Sequence, residues 1–305
     1  MRTMIGLAGL TMMMTSVSGS AAGNSARALG AKSLEDVIQV EHDFAKDSVA
    51  TGVKKSFLRF VAPDGVIFRP KPVPALATLE ADEDDSPSDG FLDWWPVMAG
   101  VSSSGDLGFS VGPWYQHLTK PPANYPADVY GYYCTIWRRQ ADGSLKFVVD
   151  GAGAFLRTTV PTRPKGSPVA RLPIPNEARK VGAEGATAEV TALEEKLGAA
   201  VRADARAALP GYYYSGAWVM GSHVEVVPGK AGWAAELGRR PARMAFSHSG
   251  GGSSSSGDVV YTYGNVESLD PQMALRDATY LHIWMRRGGR WQIVFDGIKQ
   301  RRSFD

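Results

Sequence analysis

Apolar residues recur along this chain at two spacings, one helical and one alternating, and the succession runs through twice. Between 33 and 60, Leu34, Val37, Ile38, Phe44, Ala45 and Ser48 share one helical face. Ser33 suits the N-cap, and Glu35 and Asp36 suit the first turn. Gly52 interrupts the stripe, so 53–60 reads as a second short helix. Asp64-Gly65 is a turn, Val66-Ile67-Phe68 opens a strand, and Leu92 to Pro96 reads as a short helical or turn element. Strands follow at 107–111, 129–139 and 145–150, with Gly143 turning the chain between the last two. Further on, Val190, Leu193, Leu197 and Val201 form a second helical stripe. Strands are expected near 217–227, 259–264, 278–287 and 291–296, and Ser-Gly-rich 249–256 reads as a flexible loop. The unit is helices followed by a curved antiparallel meander, an α+β fold.

The repetition is also literal. Ser102-Ser103-Ser104-Gly105-Asp106 returns as Ser254-Ser255-Ser256-Gly257-Asp258, and the stretch from Trp137 to Gly151 returns from Trp284 to Gly297. Two matches in one order mean two copies of one domain. The expected organisation is a leader at 1–23, a first domain at 31–156, a Pro-rich linker at 157–182 and a second domain at 183–305. The leader expectation rests on Arg2, an apolar run from Met4 to Met14 and small residues around Ser18 to Ala22, which together suit export to a periplasm or the medium.

Composition narrows the function more than it names it. A net charge of +2 gives no field for nucleic acid, and no stretch makes a convincing membrane span. The single cysteine, Cys134, excludes an intrachain disulfide and a Cys-based metal site, and its strand context suits a buried, inert thiol. Acidic 80–90 lacks EF-hand spacing and reads as a solvated insertion. His42, His117, His223 and His248 show no metal spacing, and no phosphate loop or nucleophile elbow is present, so neither metal nor cofactor is expected.

Each copy resembles the SnoaL-like domain of the nuclear transport factor 2-like superfamily. In the first copy the resemblance lies in Glu41, Asp64-Gly65-Val66, Trp95-Pro96, Ser104 to Gly108, Gly112, Trp114, Trp137-Arg138-Arg139 and Lys146 to Gly151. In the second it lies in Glu194, Ser256-Gly257-Asp258, Gly264, Trp284 and Trp291 to Gly297, without the Asp-Gly turn or the Trp-Pro pair. The resemblance implies two tandem cones, each a strongly bent sheet wrapped around helices with an apolar pocket inside. It implies no single chemistry, because isomerases, cyclases, dehydratases and non-catalytic binders share that cone. The ketosteroid isomerase set of an Asp base, a Tyr and a protonated Asp is not matched in full, although Tyr130, Tyr132 or Tyr133 could supply the phenol.

Glu41 and Glu194 each interrupt an apolar stripe, where burial would raise a carboxyl's pKa and suit Glu41 to general-base work. The bland alternative is a carboxylate held by the protein's own donors. Asp106 and Asp258 read as turn formers, and Asp150 and Asp296 as strand-end caps or ligand groups. Tyr280, His282, Trp284 and Arg286 share one strand face, matched by Tyr133, Thr135, Trp137 and Arg139, and this face reads as an interface or outer surface. If it lines the pocket instead, His282 becomes an acid/base candidate. Ligand contacts are expected from Trp95, Tyr132, Asp150, Glu194, His282 and Asp296. Three functions stay open: binding of a small apolar ligand in a pocket of roughly 300 Å³ or more, an isomerase, dehydratase or cyclase using Glu41, and a structural or interaction module. The two domains are expected to pair internally, or the chain to form a homodimer.

Overall fold

The computed structural model describes residues 18–155, 168–176, 181–221 and 228–301. Most of the expected leader, and 157–167 and 177–180 of the expected linker, lie outside the described residues. The first copy opens with helix α1 (Ser18–Thr51), which runs straight through Ser33, so Ser33 is not its cap. Gly52, at φ 96°, separates it from α2 (Val53–Phe60). No side chain next to α2 caps its first amides. Asp85 does so from the acidic stretch, accepting from the Val53 N–H at 2.5 Å and the Lys54 N–H at 2.9 Å. A carboxylate is favoured there by the helix dipole. The acidic stretch is therefore docked by Asp85 rather than a freely solvated insertion.

Strands β1 (Val61–Arg69) and β2 (Lys71–Pro74), helix α3 (Ala75–Ala81), and strands β3 (Gly90–Trp94), β4 (Met98–Val101), β5 (Leu107–Leu118), β6 (Asp128–Arg139) and β7 (Leu145–Phe155) follow. Residues 90–94 are thus a strand, not a helix or turn. The sheet order is β2-β1-β7-β6-β5-β4, with β3 also on β5 and β1 parallel to β7. The expected linker supplies one more strand, β8 (Ala170–Arg171), parallel to β4. Val169 and Ile174 flank β8 and pack with Leu34 and Ile38 of α1, which explains why a Pro-rich stretch is held against the domain.

The second copy comprises α4 (Gly182–Ala208), β9 (Tyr213–Met220), α5 (Lys230–Arg239), β10 (Met244–Ser253), β11 (Val259–Ser268), β12 (Ala278–Arg287) and β13 (Arg290–Lys299). Its order, β10-β11-β12-β13-β9, repeats β4-β5-β6-β7-β1 of the first, again with the last pair parallel. Much of the expected 249–256 loop is strand. Gly250 and Gly252 lie opposite Tyr263 and Tyr261, and a Cβ at either would collide with those rings. Register slips between Ile136 and Trp137, and again at the matching place between Ile283 and Trp284. Such bulges bend a sheet.

Both faces of the central strands are buried, and this decides the inside of each cone. Trp137, Tyr133 and Phe147 pack with Phe44 and Val37 of α1. Tyr132, Cys134 and Ile136, on the other face, meet Leu281, Ile283 and Met285 of the second sheet in one apolar cluster. The two sheets therefore pack back to back. The face expected outside or at an interface, Tyr280, His282, Trp284 and Arg286, is the inner one, because its aromatic and polar groups find partners on α4. The repeated Ser-Gly-Asp loops clasp across the seam. Asp106 accepts from the Ser255 N–H at 2.9 Å, and Asp258 accepts from the N–H (3.2 Å) and hydroxyl of Ser103. Both aspartates also accept hydroxyls within their own loops, Ser104 for Asp106 and Ser256 for Asp258, so they form turns and join the copies.

Candidate functional site

One cross-strand row recurs in both copies. In the first, register pairs Ser110 with Thr135, Thr135 with Asp150, and Asp150 with Ile67. In the second it pairs Thr262 with His282, His282 with Asp296, and Asp296 with Val219. Paired residues on adjacent strands present side chains to the same face. The helix glutamate sits over the first member of each row.

Glu41 is completely buried. Its Oε1 accepts from Trp94 Nε1 at 2.5 Å, and its Oε2 accepts from Trp137 Nε1 at 2.8 Å and from the Ser110 hydroxyl. Burial pushes its pKa up to about 7, against the opposing pull of those donors. Glu194 is held in the same manner by Thr262 (2.6 Å), Trp284 (2.7 Å) and His282 Nδ1 (2.9 Å). Burial would raise its pKa, but the His282 charge and the three bonds outweigh burial and lower it.

The rows differ at their far ends. In the second copy the position of Thr135 holds His282, and Asp296 beyond it is clamped. Arg240, just past α5, gives Nη1 to both Asp296 oxygens at 2.9 and 2.8 Å, and Tyr213 donates its hydroxyl at 2.5 Å. Phe246 packs on His282 with ring centres 5.4 Å apart. His282 Nε2 lies 3.7 Å from Asp296, an ion-pair distance. Burial alone would lower the His282 pKa, yet Glu194 and Asp296 on either side carry it up to about 9. Burial would raise Asp296, and the Arg240 and His282 charges instead hold it far below the usual carboxylate range. Around Asp296 the charges are thus paired, and a cavity of about 390 Å³ that adjoins Arg240 and Glu236 is lined by neither Asp296 nor His282.

The first copy keeps the corresponding space open. A cavity of about 290 Å³ is lined by Phe57, Trp94, Trp114, Tyr125, Tyr133 and Asp150, among others. That volume lies at the lower edge of the roughly 300–1,000 Å³ range of small-molecule sites. Arg69 of β1 also lines it, as do Lys299 and Gln300, which reach over from the second copy. Thr135 donates to Asp150 Oδ2 at 2.9 Å and is its only hydrogen-bond partner among the described residues. Burial raises Asp150 to about 6, against Thr135 and the charges of Lys299 and Arg69. The Tyr133 hydroxyl is buried with no hydrogen-bond partner among the described residues.

Several expected contacts lie elsewhere. Tyr132 faces the seam, and its neighbour Tyr133 faces the cavity. Trp95 is buried outside the lining, and Trp94 takes that place. Glu194, His282 and Asp296 come together, but bonded or ion-paired to one another and to Arg240 rather than lining the first copy's cavity. Glu41 stands behind the lining rather than in it. Cys134 lies in the seam, where burial pushes its thiol well up, so it is inert. Sequence reasoning missed Arg240, which no local pattern distinguishes from any arginine past a helix end. It also missed the bonds from Trp137 and Trp284, although both tryptophans recur with a glutamate and so carried a signal. No group of three or more potential metal ligands clusters among the described residues, and no described helix is long and apolar enough to cross a membrane.

Helices packed in the concave face of a bent sheet, closed by one parallel strand, give each copy a cone of the kind the nuclear transport factor 2-like resemblance implies. Solved structures similar to one copy's worth of this chain carry NTF2-like or cystatin-like descriptions. An NTF2-like protein of unknown function from Pseudomonas putida KT2440 is 18% identical, covering 41% of this chain and 97% of its own, with TM-score 0.33. A cystatin-like-fold protein of unknown function from Nostoc punctiforme PCC 73102 is 14% identical, covering 41% and 98%, with TM-score 0.33. An NTF-2-like protein of unknown function from Shewanella oneidensis MR-1 is 13% identical, covering 37% and 98%, with TM-score 0.30. No protein-family model and no curated protein matches the chain.

Proposed function

We propose that the first copy binds a small, mainly apolar molecule without transforming it, and that the second copy, paired with it back to back, is scaffold. One observation carries this reading: the same polar row ends in an aromatic-walled cavity in one copy and in the Arg240 clamp in the other. Apolar walls with a few convergent polar groups are what small-molecule sites share. A general-base role for Glu41 draws no support from its place, since three donors hold its oxygens and it does not line the cavity. The fluorescent probe 1-anilinonaphthalene-8-sulfonate is expected to bind the full chain with energy transfer from tryptophan. Leu92→Trp, which fills the cavity wall, is expected to weaken that binding about tenfold or more. An unchanged affinity in a folded Leu92→Trp protein would remove the cavity as the site.

We also propose that the chain is exported, on the strength of Arg2 and the apolar run from Met4 to Met14. Cell fractionation with N-terminal sequencing checks this, with a mature start near residue 24 expected. A cytosolic protein retaining Met1 would refute it.

A further inference from the structure

We propose that the first copy's cavity takes a planar nitrogen base, an amidine, a guanidine or an amino-heterocycle. Its two N–H groups would pair with Asp150 where Arg240 pairs with Asp296 in the second copy. This rests on the cavity being a ligand site. The equivalence comes from register. Asp150 lies between Thr135 and Ile67 as Asp296 lies between His282 and Val219. Helix α5 is the next described element after the parallel strand β9, and α3 comes after the parallel strand β1 and the short β2. The residue just past α5 is Arg240, and the residue just past α3 is Asp82.

Asp82 cannot serve Asp150 as Arg240 serves Asp296. It turns to Arg69, whose Nη1 donates to both its oxygens at 2.8 and 2.6 Å. Asp150 is thereby left with Thr135 as its donor, beside a cavity in the place of a guanidinium. A carboxylate presents two oxygens in one plane and is matched best by two parallel N–H donors. Trp94 and Trp114 supply flat apolar faces for the rest of such a base, and cation–π attraction adds to their effect when it is protonated. The Tyr133 hydroxyl, buried and unpartnered among the described residues, can bond a ring nitrogen or a substituent. Lys299 and Arg69 also line the cavity. Lys299 donates to the Phe68 carbonyl, and Arg69 is held by Asp82. Their charges limit the ligand to a single positive charge or none.

The test titrates 2-aminobenzimidazole, which embeds a guanidine in a flat ring system, into the full chain by calorimetry. Benzimidazole, lacking the amino donor, and 2-naphthoate, an anion of similar shape, are the references. The amino compound is expected to bind about tenfold or more tighter than benzimidazole. Asp150→Asn, which can keep the bond from Thr135, is expected to erase that difference, and Leu92→Trp to abolish binding of both. Affinity is expected to fall as pH drops through about 6 and Asp150 takes up a proton. Equal binding of the two bases, or no effect of Asp150→Asn, overturns the proposal. Tighter binding of 2-naphthoate that Lys299→Met abolishes overturns it in favour of an anion site. If the anilinonaphthalene probe binds the cavity but the amino compound does not, this inference fails and the cavity reading stands. If neither binds, both fail.

Discussion

Replacing Arg240 with methionine is expected to destabilise the protein by about 3–5 kcal/mol, the usual cost of stripping one partner from a buried ion pair. Arg240 and Asp296 are 3% and 0% exposed, so little water is at hand to compensate the orphaned carboxylate. Arg240 also donates to the Met220 carbonyl at 2.8 Å, tying the end of β9 to the residue after α5. The double change Arg240→Met with Asp296→Leu removes both charges and is expected to cost less than the single one, since well-packed apolar replacements of buried pairs are often tolerated. Urea unfolding of the three proteins decides it. A single-variant loss under about 1 kcal/mol would mean that the pair is not buried in solution.

Glu41→Gln is expected to change how stability depends on pH. The Glu41 pKa rises from 4.5 to about 7 on folding. Between those values the folded protein holds a proton that the unfolded chain releases, so stability falls as pH rises through this window and levels off above it. At full expression a shift of that size corresponds to about 3 kcal/mol, by the 1.36 kcal/mol carried by each pKa unit. Asp150, raised from 3.8 to about 6, acts in the same direction at slightly lower pH. His282, raised from 6.5 to about 9, adds stability below 6.5 that is lost as pH climbs to 9. Glutamine cannot titrate, so the variant is expected to lose most of the slope between 4.5 and 7 and to keep the decline above it. It is also expected to be less stable at acid pH by about 1–3 kcal/mol, because its amide N–H₂ meets one of the indole or hydroxyl donors. Denaturant melts from pH 4 to 9 measure both effects. An unchanged slope would show that Glu41 does not carry the titration.

The duplication, the strand succession and the buried glutamates were legible in the residues. The Trp137 and Trp284 stretches mark the same strands in both copies, and a carboxylate inside an apolar stripe is visible without coordinates. Which face of β6 points inward was not. Alternation separates inside from outside only when one face meets water, and here the outer face is covered by the other copy. Tyr132 and Tyr133 are therefore both buried, and a one-residue choice between them selects opposite sides of the sheet. Reading 92–96 as a helix or turn hid the strand that carries Trp94, rather than Trp95, to the cavity. The Arg240 clamp was illegible for another reason: it joins residues 56 apart that no local pattern couples. Asp85 capping α2 from 31–32 residues away is of the same kind.

The clasp between the Ser-Gly-Asp loops has a consequence for how the two interiors could come to differ. Asp106 reaches the second loop as Asp258 reaches the first, an isologous contact made within one polypeptide. Two separate subunits meeting this way would be encoded once, so any substitution that filled one cavity would fill both. With both halves encoded in a single chain, that constraint is gone. His282 and Arg240 can hold Asp296 in one copy while Thr135 alone leaves Asp150 beside a cavity in the other. Tandem linkage thus lets two halves joined by a symmetric clasp carry different interiors.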